Sequence, residues 1–235
     1  MKTLLLSFIL LASSLSFAAV EGSSISNAHI IYKSGEAQVI RGKAPANQKQ
    51  MQELISLGVT EFLIFKTDTK GEVLKEQEAL QKLGISPRSI THVSFPWKDL
   101  HDFKSACTMT IQALRTIEQA VQKNKSLYFH CTVGEDRTGY LAGLWGLWAG
   151  TYSSVPESVE KELCARGYEA GNPGKPYRDV VLKIRETLTP TYLKMVMVLS
   201  DARLRGQALN ESLCENEPQL KVAINKYYCA KVTER

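Results

Sequence analysis

The segment Ser126-Leu127-Tyr128-Phe129-His130-Cys131-Thr132-Val133-Gly134-Glu135-Asp136-Arg137-Thr138-Gly139 changes character twice within one short stretch. It begins as an apolar strand, passes through a loop pivoting on Gly134, and enters a helix. In that helix Leu141, Leu144, Trp145 and Trp148 recur at helical spacing. A strand–loop–helix unit of this kind can wrap successive backbone N–H groups around an anion, with the helix N-terminus facing the same point. Cys131 stands at the mouth of the cradle. Donors that bind a phosphate also stabilise a thiolate, so the pKa of Cys131 is expected well below the ordinary ~8.5, leaving a ready nucleophile. The backbones of Thr132, Val133, Gly134, Glu135 and Asp136 are the expected anion donors. Arg137 closes the loop with a planar fork that can hold two phosphoryl oxygens, which a lysine point charge cannot do. Thr138 can donate to the sulfur and ease its departure. His130 is suited to ordering the loop through hydrogen bonds rather than to acting as a base.

Outward from this segment, short apolar runs alternate with helical patterns. Ala28–Tyr32 and Gln38–Ile40 read as strands around a Ser34-Gly35 turn, and Asn47 can cap a helix that stops at Gly58. Phe62–Phe65 is a continuous apolar run, typical of a strand buried on both faces. A helix ending at Leu83-Gly84, a strand over Ile90–Phe95 and an amphipathic helix from Ser105 to Lys123 complete the approach. Further helices are expected at about 156–166, 178–188 and 190–204, the first with Ser154 and Glu157 as a capping box. The alternation implies an α/β fold, a mostly parallel central sheet flanked by helices. Neither an internal repeat nor a linker interrupts it.

The loop resembles the signature of the protein tyrosine phosphatase superfamily, His-Cys-(x)5-Arg-Ser/Thr, written here as His130-Cys131 to Arg137-Thr138 with Gly134 and Gly139 also matching. The resemblance extends more loosely over residues 30–165. Val39-Ile40-Arg41-Gly42 followed by Pro45 looks like the start of bacterial dual-specificity-type phosphatases. It implies a phosphatase-like fold and hydrolysis of phosphomonoesters through a phosphocysteine, with Cys131 and Arg137 catalytic and no cofactor or metal. It further implies a general acid on a separate loop after the strand that precedes the long helix, here Phe95-Pro96-Trp97-Lys98-Asp99-Leu100-His101-Asp102. Asp99 is preferred; Asp102 has a competing role as a cap for the helix starting near Ser105. Trp97, Lys98 and His101 would share that loop, with Lys98 able to meet a second phosphate. His29 and His92 read as ordinary strand residues. Family members that prefer phosphoinositides often carry lysine where Glu135 stands, which disfavours a lipid substrate. The implied substrate is a phosphorylated small molecule, such as an inositol polyphosphate hydrolysed in phytase-like fashion, or a phosphotyrosine or phosphoserine protein. A rhodanese-like sulfurtransferase, a catalytically dead phosphate-binding module and a redox protein are the competing readings.

Residues 1–18 read as a secretory leader: Lys2 gives the charge, Thr3 to Phe17 the apolar run, and Ser16 and Ala18 the small residues before a cleavage point. The run is shorter than the ~20 residues of a spanning helix, so no stable membrane insertion is expected after its removal. The mature chain, 19–205 as one domain and 206–235 as an extension, is expected in the periplasm or outside a bacterial cell. Its five cysteines therefore belong to an oxidising setting. Cys214 with Cys229 and Cys107 with Cys164 are the expected bridges, against an alternative of four buried thiols; Cys131 is the one left over. Structural zinc is disfavoured, because no CxxC pair exists. A chain of 235 residues with 44% hydrophobic content has ample material for a core, and a net charge of +5 without a basic run excludes a nucleic-acid binder.

Overall fold

The computed structural model describes residues 20–100, 102–171 and 177–229. Residues 1–18, read above as a leader, and His101 lie outside them. Five strands form one sheet: β1 (His29–Ser34), β2 (Ala37–Lys43), β3 (Val59–Phe65), β4 (Ile90–Val93) and β5 (Ser126–Cys131). Their spatial order is β1-β2-β5-β3-β4, with β1 antiparallel to β2 and every other pairing parallel. The hairpin turn between β1 and β2 uses Gly35 at φ +58°.

Period-two alternation sends the two sheet faces to different helices. Ile40, Phe62, Ile64 and Tyr128 point to one side, where α1 (Gln48–Ser56) and α2 (Glu72–Lys82) cover them with Met51, Leu54, Val73 and Leu80. Val39, Leu63, Phe65 and Phe129 point to the other, packing beneath α3 (Phe103–Gln122), α4 (Asp136–Trp148) and α7 (Thr189–Leu204). Because β5 is central and covered on both faces, all six of its residues are buried, which explains its unbroken apolar reading. Asn47 caps α1, its side chain accepting from the Gln50 amide at 3.0 Å. Ser154 caps α5 (Val155–Ser158) in the same way. That helix runs on as a π turn through Val159–Leu163 and a 3-10 turn through Cys164–Arg166, while α6 (Tyr177–Lys183) leads through a second π turn into α7.

The expected cysteine pairing is wrong in both bridges. Cys107 of α3 joins Cys214, and Cys164 joins Cys229, while Cys131 is free. Cys214 and Cys229 are near in sequence, but the tail between them crosses the domain, so each meets a different helix. Leu209 and Cys214 are core residues, and Leu213, Leu220, Ile224 and Tyr227 pack against that core. The segment after α7 is thus a strap over the α3–α7 side, tied at two points, rather than an extension stapled to itself.

Each bridge closes a long loop, 107 residues in one case and 65 in the other. Closing a loop near 100 residues restricts the unfolded chain by about 3–5 kcal/mol. The double variant Cys107→Ala/Cys214→Ala is therefore expected to melt well below wild type under non-reducing conditions. A change in melting temperature under about 2 °C contradicts this assignment of the bridge.

Candidate active site

Register places Cys131 at the carboxyl end of the central strand, opposite Lys43 on β2, with His130 opposite Ile64 on β3. The loop Thr132–Glu135 therefore leaves from the middle of the sheet's carboxyl edge, where open α/β sheets place ligands. Gly134 has φ +77°, and a Cβ there would lie 2.5 Å from the backbone of Gly42 and Lys43. Both the left-handed conformation and the close approach of β2 require glycine. The chain then enters α4 directly, with the Gly139 amide donating to the Glu135 carbonyl at 2.6 Å.

The sulfur of Cys131 sits in this curl on a residue only 1% exposed. Burial pushes its thiol pKa up, yet the Arg137 charge, the Thr138 hydroxyl and the backbone amides of Gly134 and Thr138 together bring it below the usual thiol value. Thr138 works at both ends: its oxygen accepts the Cys131 amide at 2.8 Å, leaving its O–H to donate to the sulfur. Arg137 Nη2 donates to Thr132 Oγ1 at 3.1 Å, joining the two ends of the loop.

His130 is fully buried behind the loop. Its Nδ1 lies 2.9 Å from the Cys131 carbonyl, and Nε2 lies 2.7 Å from Glu76 Oε1 on α2. Burial lowers the imidazole pKa, but the Glu76 carboxylate outweighs it and the net shift is upward. The ring is thus flanked by the Cys131 carbonyl on one side and the Glu76 carboxylate on the other. Lys66, buried at the end of β3, sits 3.8 Å from Glu76 and 3.6 Å from Glu72.

The two acids within the loop turn away from the anion cradle. Asp136 is buried and accepts the Glu169 amide at 3.0 Å. Glu169 is held by Arg185 at 2.8 Å and accepts the Cys229 amide at 3.2 Å, so the tail strap reaches the back of the loop. The Glu135 side chain packs at Gly167, where an added Cβ would meet its Cγ at 2.9 Å. Backbone N–H groups, and not these carboxylates, are left to face an anion.

On the turn after β4, Asp99 is exposed and its amide donates to the Pro96 carbonyl at 2.8 Å. Lys98 lies over the Trp97 ring, 5.3 Å from its centroid. Asp102 caps α3, accepting the Ser105 amide at 2.7 Å. Of the two candidate acids, it is therefore Asp102 that has a helix to cap. Among the described residues, no cluster of three or more His, Cys, Asp and Glu side chains could hold a metal ion, and no helix is long and apolar enough to cross a membrane.

Sequence reasoning missed the residues that brace the loop. His29, read as an ordinary strand residue, lies 3.3 Å from Glu162, and Glu162 pairs with Arg41 at 2.5 Å, all three essentially without exposure. The one available signal was a charged residue at an inward position of a strand, Arg41 beside Val39 and Ile40. Glu76 gave none, because it lies on a helix otherwise rich in exposed charge, and Glu169 gave none, because it lies in an irregular turn with no periodic pattern.

A central parallel strand ending in a thiolate-stabilising loop, capped by an arginine and feeding a helix, defines a phosphatase of the cysteine-signature type. Residues 37–155 match the model of the tyrosine phosphatase family, half of the chain, and the protein belongs to that family. Among solved structures it is similar to P. aeruginosa TpbA, with 18% identity, 77% of this chain and 98% of that one covered, and a TM-score of 0.48. It is likewise similar to the core catalytic domain of the PP-IP phosphatase SIW14 from S. cerevisiae, with 17% identity, 59% and 74% coverage, and a TM-score of 0.45. A comparison with functionally curated proteins gives no match.

Burial lifts the Asp136 pKa to about 7, against the opposing hydrogen bond from Glu169. With the folded value above the unfolded one, the unfolded chain loses this proton first as pH rises. Wild type is therefore destabilised progressively between about pH 4 and pH 7. Asp136→Asn keeps an oxygen for the Glu169 amide and removes the titration. Its melting temperature is expected to gain on wild type between pH 5 and pH 8, and a pH-independent difference contradicts the assignment.

Proposed function

We propose that the protein is an exported phosphomonoesterase working through a phosphocysteine. The observation that carries this reading is the buried Cys131 sulfur, held below the usual thiol pKa by Arg137, Thr138 and loop amides. Those donors also form a receptor for a phosphoryl dianion. The Cys131 thiolate attacks phosphorus in line, forming the S–P bond as the P–O ester bond breaks. Asp99 gives its proton to the departing oxygen. Arg137 and the amides from Thr132 to Asp136 hold the three equatorial oxygens, whose charge shifts during transfer. Asp99, now a carboxylate, then takes a proton from water as that water attacks phosphorus. The thiolate leaves with the Thr138 hydroxyl donating to it, and inorganic phosphate is released.

The substrate we assign is a small phosphorylated molecule of the inositol polyphosphate class, ahead of phosphotyrosine or phosphoserine proteins. Its support is that Glu135 and Asp136 turn their charge away from the cradle, while Lys43, exposed at the end of β2, and Lys98, on the turn after β4, add positive charge at the carboxyl edge of the sheet. Export to a periplasm or beyond is supported by the leader-like residues 1–18 and by the pairing of every cysteine except Cys131.

Phosphate release by wild type and Cys131→Ser is the test, on inositol hexakisphosphate, phosphotyrosine and phosphoserine peptides and a phosphoinositide, with mild reductant and no added metal. Turnover by wild type is expected, greatest on the inositol phosphate and abolished in the variant. Silence of wild type on all four overturns the reading in favour of a binding module, and persulfide formation from thiosulfate overturns it in favour of a sulfurtransferase. For the acid, Asp99→Asn is expected to slow a substrate with a poor leaving group by about 10²–10⁴-fold and to remove the alkaline limb of its pH–rate profile. A full limb in that variant moves the role to Asp102.

A further inference from the structure

The Gly134 carbonyl receives two side-chain donors from outside the loop. Asn27 Nδ2 donates to it at 2.8 Å, and Arg41 Nη2, from β2, donates to the same oxygen. Asn27 Nδ2 also donates to the Arg166 carbonyl at 2.8 Å, tying the loop to the end of the 3-10 turn. Arg41 is completely buried, and its Nη1 is held by Glu162 Oε1 at 2.5 Å and by the Glu162 carbonyl at 3.3 Å. Glu162 is aimed at it from the π turn, a local widening of helix that commonly re-aims a side chain at functional sites. Tyr152 donates to Glu162 Oε2 at 2.8 Å and His29 lies beside it. Burial works against ionisation of Glu162, but Arg41 first, then His29 and Tyr152, keep its pKa below the usual carboxylate value, so Arg41 faces an anion on one side and the loop on the other.

The peptide linking Gly134 to Glu135 is planar and trans, so its C=O and N–H point in opposite directions. Fixing the Gly134 oxygen outward fixes the Glu135 N–H inward, toward the space the phosphoryl group occupies. We infer that Asn27 and Arg41 form a two-donor clamp that sets the orientation of this peptide and so presents one of the oxyanion donors of the cradle. They are positioning residues, acting through the Gly134 carbonyl without touching the substrate. Asn27 and Glu162 both lie outside residues 37–155, so the clamp is completed by segments beyond the matched stretch. Asn27 holds φ +59°, a left-handed conformation that asparagine tolerates and that points its amide at the loop.

This inference rests on the reading of the loop as a phosphoryl receptor, and the experiment separates the two. Tungstate, as a phosphate-shaped oxyanion, is titrated calorimetrically into full-length wild type, Asn27→Gly and Arg41→Lys, with turnover and melting temperature measured in parallel. Asn27→Gly keeps the left-handed backbone and deletes both hydrogen bonds. Arg41→Lys keeps the positive charge against Glu162 but loses the fork. Both variants are expected to bind tungstate about tenfold more weakly and to lose kcat by about 10- to 100-fold, short of the loss on deleting a donor outright. Asn27→Gly is expected to remain folded with a melting temperature within a few degrees of wild type, and it decides the matter alone if Arg41→Lys does not fold. Unchanged tungstate affinity and kcat in a folded Asn27→Gly overturn the clamp while leaving the proposed function standing. Absence of tungstate binding by wild type overturns the proposed function itself.

Discussion

Negative charge on a buried sulfur is costly unless fixed donors replace the water it loses. This protein supplies them by ending its most buried strand, β5, in a loop where the Gly134 and Thr138 amides, the Thr138 hydroxyl and the Arg137 charge act on the sulfur. Much of the surrounding structure follows from that one requirement. Gly134 must be glycine because β2 presses on it, Thr138 must bridge the amide and sulfur of Cys131, and α4 must begin at once so that its N-terminus adds to the same field. Two carbonyls of this stretch, those of Cys131 and Gly134, are met by side chains of the protein. His130 serves the Cys131 carbonyl, and Asn27 with Arg41 serve that of Gly134.

The bracing groups are themselves charged and buried, and they are paired in series. Glu76 holds His130, Glu162 holds Arg41, and Arg185 holds Glu169 behind Asp136. Removing one partner of such a pair leaves the other stranded in a low-dielectric interior, which is strongly destabilising. The Cys164–Cys229 bridge enters the same arrangement, since the Cys229 amide donates to Glu169. The tail is thereby connected to the back of the loop through one carboxylate.

What could be read from the residues was what depends on short-range pattern. The apolar run over β5, the helical spacing of Leu141, Leu144 and Trp145, and the Asn47 and Ser154 caps are local, and the parallel α/β sheet followed from their alternation. His130 and Cys131 end β5 and Arg137 and Thr138 open α4, so one short loop brings them together, whereas the Glu76 partner of His130 comes from α2 and was not legible. The competing role for Asp102 as a helix cap was equally local. The disulfides were misassigned because proximity in sequence says nothing about a strap that crosses the domain between Cys214 and Cys229. Arg41, His29 and Glu162 come from three separate segments and meet only through the register of β1 with β2 and the π turn after α5, which no local pattern encodes.

The most direct test of the account is the ionisation of Cys131 in the folded, full-length protein, with the four other cysteines held in disulfides. Ultraviolet absorbance of the thiolate is followed against pH in wild type, with Cys131→Ser subtracted as the blank. An inflection clearly below the ~8.5 of an unperturbed thiol is expected, because the loop donors outweigh burial. An inflection at or above that value would mean that burial wins, and that the loop does not hold a thiolate.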